Sequence, residues 1–157
     1  LDEGMQSLAE VIKKTTGKDI TNYPGAGAAR GMGGGLLAFF NAELKPGTEL
    51  LLKAIDFSEK IKGADLIITG EGKADRQTAM GKVPYGILKE AQKEHIPVIV
   101  LAGSIENLPE LNKAGFKGIF SIAPDPITLE KAMEPEFAKE NITRLVSQLY
   151  SVITSFG

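Results

Sequence analysis

The sequence is most distinctive for the side chains that it lacks. Its 157 residues include no cysteine and a single histidine, His95. The absence of cysteine excludes a disulfide framework, a thiolate metal site and a cysteine nucleophile. One histidine excludes a zinc site built on paired imidazoles. Aromatic residues amount to 6%, and the three tyrosines are too scattered to form a platform on which nucleic-acid bases stack.

Long apolar runs and an excess of charge of one sign are missing as well. No run approaches the roughly 20 apolar residues that span a bilayer, and the N-terminal residues do not have the pattern of a signal peptide. The net charge of −2 gives no electrostatic reason to expect nucleic acid as a partner. These features predict a cytoplasmic protein with neither a nucleic-acid nor a membrane partner.

Apolar residues at helical and strand spacing predict an alternation of helices and strands. Residues 49–55 fit either a strand or the start of a helix, and a strand is favoured. Strands that alternate with helices favour an α/β fold with a parallel sheet. A change of composition near Gly63 predicts a boundary between two units. The other predicted helices are 2–17, 28–42, 57–61, 83–94, 108–114 and 135 onward, and the other predicted strands are 66–68, 97–101 and 118–121.

Charged residues crowd the segment that follows the predicted strand 66–68. In this strand-end segment, residues 69–82, the last twelve residues carry two carboxylates, three cationic groups, a hydroxyl and an amide. Ligands of open α/β sheets bind just beyond the carboxyl ends of the strands. Phosphoryl transfer needs cations or a metal to neutralise charge, and a group that orients or deprotonates the attacking hydroxyl. We therefore predict an active site here, although each of these charges singly is more often a solvated surface group.

The charged residues of the strand-end segment have distinct predicted roles. Glu71 and Asp75 are the candidate ligands of Mg²⁺, and one of them is the candidate base. Asp75 is favoured as the base because it lies centrally among the other candidates. Lys73, Arg76 and Lys82 are expected to neutralise phosphate. Lys82 has the additional help of the predicted helix that starts beside it.

A second segment is rich in glycine. Six of the 18 glycines fall within the eleven residues that follow Pro24, and residues 24–35 are called the glycine-rich loop. Glycine lets backbone N–H groups approach an anion closely, and it equally lets two structural elements pack tightly. Both interpretations stay open. The dinucleotide-binding fingerprint is not met, because Arg30 stands where that motif requires glycine.

Several motifs together resemble the bacterial type 1 family of glycerate kinases. Their order and separations match over nearly the whole chain, more loosely toward its end, and several ordered motifs are far more specific than one glycine pattern. The motifs are Pro24-Gly-Ala-Gly-Ala-Ala-x-Gly-Met-Gly, Asn41-Ala-Glu-Leu-Lys-Pro-Gly, Thr69-Gly-Glu-Gly-x-x-Asp-x-Gln-Thr-x-x-Gly-Lys82 and Pro97-Val-Ile-Val-Leu-Ala-Gly103.

The resemblance implies a function and an architecture. Members of this family use ATP and Mg²⁺ to phosphorylate D-glycerate, typically to 2-phosphoglycerate, and are considerably longer than this chain. By similarity, residues 1–62 form the C-terminal part of an inserted α/β domain. Residues 63–157 form the C-terminal half of a Rossmann-like parallel-sheet domain. Because the chain starts at Leu1 inside a helical pattern, we expect a fragment whose partner is the missing N-terminal half of the same enzyme.

The resemblance also implies which residues contact substrate and nucleotide. Arg30 and Lys73 depart from the family pattern, which has glycine and arginine there, and lysine keeps the charge but loses bidentate geometry. Arg30 is expected to bind the glycerate carboxylate, to point into solvent or to obstruct the loop. The strand-end segment and the glycine-rich loop are expected to converge on one pocket. The residues carried over are Gly70, Glu71, Gly72, Asp75, Gln77 and Thr78 of the segment and Gly25, Gly27, Gly31 and Gly33 of the loop.

Two rival hypotheses remain for the function. A non-catalytic module for sugar phosphates or nucleotides binds its ligand without turnover. A purely structural or partner-binding piece gains no stability from either ligand. Calorimetry with ATP and D-glycerate, beside an assay of ADP release, separates them from a kinase.

Overall fold

The structure is a computed structural model, and it describes residues 2–155 without the side chain of Asp2. The chain divides into two compact units, of which the first ends at Gly47 and the second begins at Thr48. The domain boundary inferred by similarity, after residue 62, stays a prediction. In chain order the elements are α1 (Asp2–Thr16), α2 (Ala28–Phe40), α3 (Gly47–Ala54), α4 (Phe57–Lys60), β1 (Ile67–Ala74), a 3-10 helix (Arg76–Met80), α5 (Val83–Lys93), β2 (Val98–Ile105), α6 (Leu108–Ala114), β3 (Gly118–Ser121), α7 (Leu129–Ala132) and α8 (Pro135–Thr154).

In the first unit, α1 and α2 pack through a small apolar core. The two buried residues of α1 lie three positions apart and therefore on one face of the helix. Gly17, with a φ of 73°, follows the last residue of α1 as predicted, because glycine adopts the left-handed backbone without a steric penalty. The core residues are Ala9, Ile12, Ile20, Leu37 and Ala38.

Of residues 49–55, predicted as a strand, all but Ile55 belong instead to the helix α3. The strand prediction was wrong because three consecutive leucines have no periodicity, whereas leucine, lysine, glutamate and alanine all favour helices intrinsically. In α3 only Leu52 is buried, and Leu50 and Leu51 are about half exposed. Thr48 and Leu52, one helical turn apart, lie against Gly86 of α5. A Cβ at Gly86 would come within 2.3 Å of the Thr48 methyl, so glycine permits this close approach.

The second unit contains a parallel sheet in the order β1-β2-β3, which confirms the predicted α/β class. The connections run through α5 and α6, as expected for parallel strands. β2 is the central strand, and its first five residues are buried because neighbours lie on both sides. Its even-numbered side chains pack against the two helices. The main core comprises Val98, Val100 and Ala102 of β2, Leu88 and Ala91 of α5, Leu111 of α6, and also Ile61, Ala74, Ile96 and Phe116.

Strands β1 and β2 are longer than the sequence patterns predict. The prediction that the first strand ends at residue 68 was wrong, because β1 continues to Ala74 and Lys73 pairs with Ser104 of β2. Glycine usually signals a strand end, but here it allows close contact between strands. A Cβ at Gly103 would lie 2.7 Å from the carbonyl oxygen of Gly72. The sheet therefore extends into the segment that carries the predicted active-site charges.

The C-terminal part of the second unit is helical. The predicted helix from Pro135 is confirmed as α8, whose buried Asn141 donates from Nδ2 to the carbonyl oxygen of Phe137 at 2.8 Å. Among residues 2–155, no helix combines the length and the apolar character needed to cross a membrane.

Candidate active site

The strand-end segment starts within β1 and continues into the 3-10 helix. Side chains alternate between the two faces of a strand, so Glu71 and Lys73 share a face with Thr69, whereas Gly70 and Gly72 lie on the other. Glu71 is partly buried and Lys73 is exposed. The strand thus directs one carboxylate and one ammonium group to the same side of the sheet, close to its carboxyl edge.

Asp75 holds the turn between β1 and the 3-10 helix. Its Oδ1 accepts hydrogen bonds from the backbone N–H of Gln77 at 2.9 Å and of Thr78 at 3.2 Å. In return, the backbone N–H of Asp75 donates to the Thr78 hydroxyl at 3.1 Å. This reciprocal arrangement is a capping box, which satisfies N–H groups that a helix start leaves unpaired. Asp75 therefore has a fixed position before any ligand is considered.

Thr78 is the buried side of this arrangement. Its side chain is fully buried, and its hydroxyl also donates to the carbonyl oxygen of Lys73 at 3.4 Å. The hydroxyl therefore links β1 to the 3-10 helix from within. Its intramolecular hydrogen bonds give Thr78 a positioning role, and the ligand contact inferred by similarity stays a prediction.

Lys82 supplies the cation nearest to Asp75. Its Nζ lies 3.4 Å from Asp75 Oδ1 and 3.5 Å from the carbonyl oxygen of Lys73. Partial burial raises the pKa of Asp75, but the hydrogen bonds from Lys82, Thr78 and Gln77 outweigh it, and the pKa lies below its usual value. Asp75 is thus a carboxylate at neutral pH. Within residues 2–155 no hydrogen bond reaches its second oxygen, Oδ2, so that atom is available to a ligand.

Lys73 is paired with a residue that the sequence patterns did not single out. Its Nζ lies 2.8 Å from Oε1 of Glu106, immediately beyond the end of β2. The hydrogen bond and the charge of Glu106 raise the pKa of Lys73 above its usual value. Only the strand register could have revealed Glu106. Once Lys73 is aligned with Ser104, a residue two positions further along lies on the same face.

Arg76 and Gln77 of the segment are exposed. Within the described part of the chain, Arg76 has no ion-pair partner and the Gln77 side chain makes no hydrogen bond. Oε1 of Glu71 accepts a hydrogen bond from the neighbouring N–H of Gly72, at 3.3 Å. Together with Glu106 the segment has three carboxylates and three cations, so its formal charges cancel.

The carboxylates of the segment suit a metal ion that is held by one or two protein ligands better than one that is surrounded by protein ligands. Residues 2–155 hold no group of three or more acidic or histidine side chains that could bind a metal ion together. Mg²⁺, however, usually takes one or two carboxylates and completes its shell with water and phosphate oxygens. Oδ2 of Asp75 and the carboxylate of Glu71, which lies on β1 four residues earlier, are compatible with binding Mg²⁺ in this way.

The glycine-rich loop, in the first unit, has an unusual backbone. Ala29, Arg30 and Gly31 all adopt left-handed angles, with φ values of 50°, 59° and 90°, and they therefore kink α2 near its start. This conformation costs an L-residue roughly 1–2 kcal/mol, whereas glycine adopts it freely. The structure therefore gives a reason for glycine at position 30 in the family pattern. The Arg30 side chain is exposed, which agrees with the expectation that it points into solvent.

The other glycines of the loop divide into two kinds. Gly33 is buried, and a Cβ there would lie 2.4 Å from the carbonyl oxygen of Gly25, so it serves close packing. Gly25 itself needs its positive φ of 88°. Gly27 and Gly31 instead border a cavity of about 240 Å³ between α1 and the loop. Close packing is thus the role that the structure supports at Gly33, and ligand contact by the glycines of the loop stays a prediction.

Comparison with known proteins identifies the family. The family described as "Glycerate kinase family" matches residues 1–154. The chain belongs to this family. The predicted resemblance is thereby confirmed, on a match that includes both the glycine-rich loop and the strand-end segment.

Individual relatives agree with the family assignment. The chain is 44% identical over 135 residues to "Glycerate kinase" from Halalkalibacterium halodurans, covering 85% of this chain and 36% of that protein. It is 42% identical over 145 residues to "Glycerate 2-kinase" from Escherichia coli K12, covering 92% and 38%. A crystal structure provisionally named glycerate kinase 2, from Salmonella typhimurium LT2, superposes with a TM-score of 0.67 at 33% identity, covering 96% and 37%. The chain thus spans little more than a third of the length of these relatives.

Proposed function

We propose that this chain supplies the phosphate-handling part of an ATP-dependent kinase that phosphorylates D-glycerate to 2-phosphoglycerate. The observation that carries the proposal is the arrangement at Asp75. Its carboxylate is fixed by a capping box and paired with Lys82, and Oδ2 is left for a ligand. Membership of the glycerate kinase family supports the choice of substrate. The cytoplasmic location stays a prediction.

The proposed reaction joins the substrate hydroxyl oxygen to the γ-phosphorus as the bond from phosphorus to the β–γ bridging oxygen breaks and ADP leaves. Asp75 orients the hydroxyl through Oδ2 and accepts its proton. A carboxylate of lowered pKa is a weak base, so the proton leaves only as the new bond forms. Lys82 and Lys73 neutralise the phosphate oxygens. Glu71 and Asp75 are the residues that would hold Mg²⁺, and the metal would neutralise further charge on the phosphates.

The glycine-rich loop is proposed to face the same substrate, with the Arg30 guanidinium as the partner of the glycerate carboxylate. Exposed left-handed backbone at Arg30 supports this role, since strained residues cluster at ligand sites. The chain has no cysteine, so Arg30→Cys and Gln77→Cys introduce a unique pair for spin labels. The distance between the two labels is then measured. If it is greater than bound ATP and glycerate can span, the loop and the strand-end segment do not converge on one substrate.

The activity is proposed to require residues outside this chain. The relatives are more than twice as long, and by similarity residues 1–62 would end an inserted domain and residues 63–157 would return to the parallel-sheet domain. The assay is ADP release with D-glycerate and ATP–Mg²⁺. It compares this chain with a longer version that also carries the preceding residues of the relatives. If neither version releases ADP, the kinase proposal is contradicted.

A substitution at Asp75 tests its proposed role. Asp75→Asn keeps a side-chain oxygen for the cap, because asparagine caps helices as well as aspartate does, but removes the negative charge. In the active version we expect kcat to fall by roughly 10²–10⁴-fold. Asp65→Asn, which removes an exposed carboxylate before the opposite end of β1, serves as the control and leaves kcat unchanged. A near-normal kcat in Asp75→Asn removes Asp75 from the mechanism.

A non-catalytic sugar-phosphate or nucleotide binding module is the second candidate. It is favoured by the pairing of Lys73 and Lys82 with carboxylates, which suits reversible anion exchange as well as catalysis. Calorimetric binding of ATP without ADP release in the longer version would establish this alternative.

A further inference from the structure

The ion pair between Lys73 and Glu106 joins the carboxyl ends of two adjacent strands. Lys73 is the residue before the last of β1, and Glu106 follows the last residue of β2. The backbone N–H of Glu106 donates to the carbonyl oxygen of Ala74 at 2.8 Å, so the ladder of the sheet extends to Glu106 itself. The backbones that carry both charges are therefore fixed, and the 2.8 Å contact depends on two side chains alone.

Both partners remain open to solutes. The side chains of Lys73 and Glu106 are 50% and 57% exposed, which leaves Nζ accessible to an anion from solution. An ammonium group has three donors, but a carboxylate that neutralises it weakens its attraction for a second anion. A phosphate that binds Lys73 must therefore compete with Glu106.

We propose that Glu106 is a positioning residue for Lys73: its carboxylate holds the ammonium group at the end of β1 until a phosphate group of the nucleotide replaces it. This inference rests on the proposed function, because it takes Lys73 as a phosphate ligand. Glu106 itself touches no substrate. It sets the position of Lys73 in the free protein and lowers the affinity of Lys73 for phosphate, which eases release after transfer.

The size of the effect follows from the exposure of the pair. Exposed ion pairs are weak, and the loss of one changes an equilibrium constant by only about 1.4- to 5-fold. Replacing Glu106 with glutamine keeps the shape and the hydrogen-bond acceptor but removes the competing charge. Glu106→Gln is therefore expected to tighten the binding of a polyphosphate by about 1.4- to 5-fold.

The test is isothermal titration calorimetry of the 157-residue chain with tripolyphosphate in the absence of metal. Four proteins are compared: the unsubstituted chain, Glu106→Gln, the double variant Lys73→Gln/Glu106→Gln, and Glu110→Gln. Glu110 is an exposed carboxylate in the first turn of α6 and, among the described residues, has no ion-pair partner, so it controls for the loss of charge alone. We expect tighter binding only in Glu106→Gln and loss of that gain in the double variant.

A second measurement tests the pairing independently of any ligand. The pKa of the Lys73 ammonium group, followed by NMR, is expected to fall in Glu106→Gln and to stay unchanged in Glu110→Gln. The inference is overturned if Glu106→Gln binds tripolyphosphate no more tightly than the unsubstituted chain, if neither binds it, or if Glu110→Gln gains as much.

These outcomes are separable from failure of the kinase proposal. ADP release without any effect of Glu106→Gln on polyphosphate binding leaves the kinase proposal and removes the role of Glu106. If Glu106→Gln gains affinity for polyphosphate but the longer version releases no ADP, the proposed exchange of Glu106 for phosphate at Lys73 is kept and the kinase proposal is rejected.

Discussion

The buried hydroxyl of Thr78 allows the strongest test of how the candidate active site is built. Thr78→Val keeps the shape of the side chain but removes the oxygen that accepts from the Asp75 N–H at 3.1 Å and donates to the Lys73 carbonyl at 3.4 Å. The hydroxyl is fully buried, so water cannot easily replace it. An N–H group left without a partner in such a place costs about 1–3 kcal/mol.

This loss should be measurable as a lower melting temperature. For a domain of this size, 1 kcal/mol corresponds to roughly 2–4 °C, so Thr78→Val is expected to melt about 2–12 °C below the unsubstituted chain. Exchange of the Asp75 amide proton with solvent should accelerate as well, because its acceptor is gone. Thr78→Ser is the matched control. It loses a methyl group but keeps the hydroxyl, and Asp75 stays protected from exchange.

Two results would refute this reasoning. Equal melting temperatures for Thr78→Val and the unsubstituted chain would mean that the hydroxyl contributes nothing net to the turn. Equal protection of the Asp75 amide in the valine and serine variants would mean that the amide has another acceptor. Either result would also weaken the argument that Asp75 is held in place before substrate binds.

Three further substitutions test the roles of single residues, each with thermal unfolding as the measurement. Gly33→Ala places a Cβ 2.4 Å from a loop carbonyl and should cost about 1–3 kcal/mol, whereas Gly35→Ala, with open space, should be neutral or stabilising; equal effects would contradict the packing role. Arg30→Gly should raise stability by up to about 1 kcal/mol by relieving left-handed backbone, and Arg30→Ala should not; a gain in both would implicate the side chain instead. Gly103→Ala meets the Gly72 carbonyl at 2.7 Å and should destabilise, while Gly72→Ala meets nothing within 4 Å; the reverse order would contradict the described register.

Sequence patterns predicted much of the fold because the central elements have clear periods. The buried run Val98–Leu101 and the amphipathic α5 left little choice, and both were predicted within a few residues. The strand prediction for residues 49–55 was wrong because the leucine run has no periodicity. Its secondary structure is therefore decided by the residues that pack against it. Leu52 lies beside Gly86 of α5, a contact between residues far apart in the sequence.

The candidate site was predicted as a segment but not in its geometry. Asp75 was singled out as central to the segment, but its capping of the 3-10 helix was not predicted, because it depends on the exact turn. Strand β1 continues past Gly70, and there Gly72 of β1 lies opposite Gly103 of the neighbouring strand β2. No local sequence pattern reveals that pairing. Glu106 was missed for the same reason, since only the register of β1 and β2 brings it to Lys73.

The balance of three carboxylates against three cations at the strand ends has a consequence for kinetics. A cluster without net charge projects little field beyond a Debye length of about 8 Å at physiological salt, so it does not attract a distant nucleotide. Capture then depends on local exchange of partners after encounter. The association rate of ATP should accordingly change little between low and high ionic strength, unlike that of enzymes that steer their substrates electrostatically.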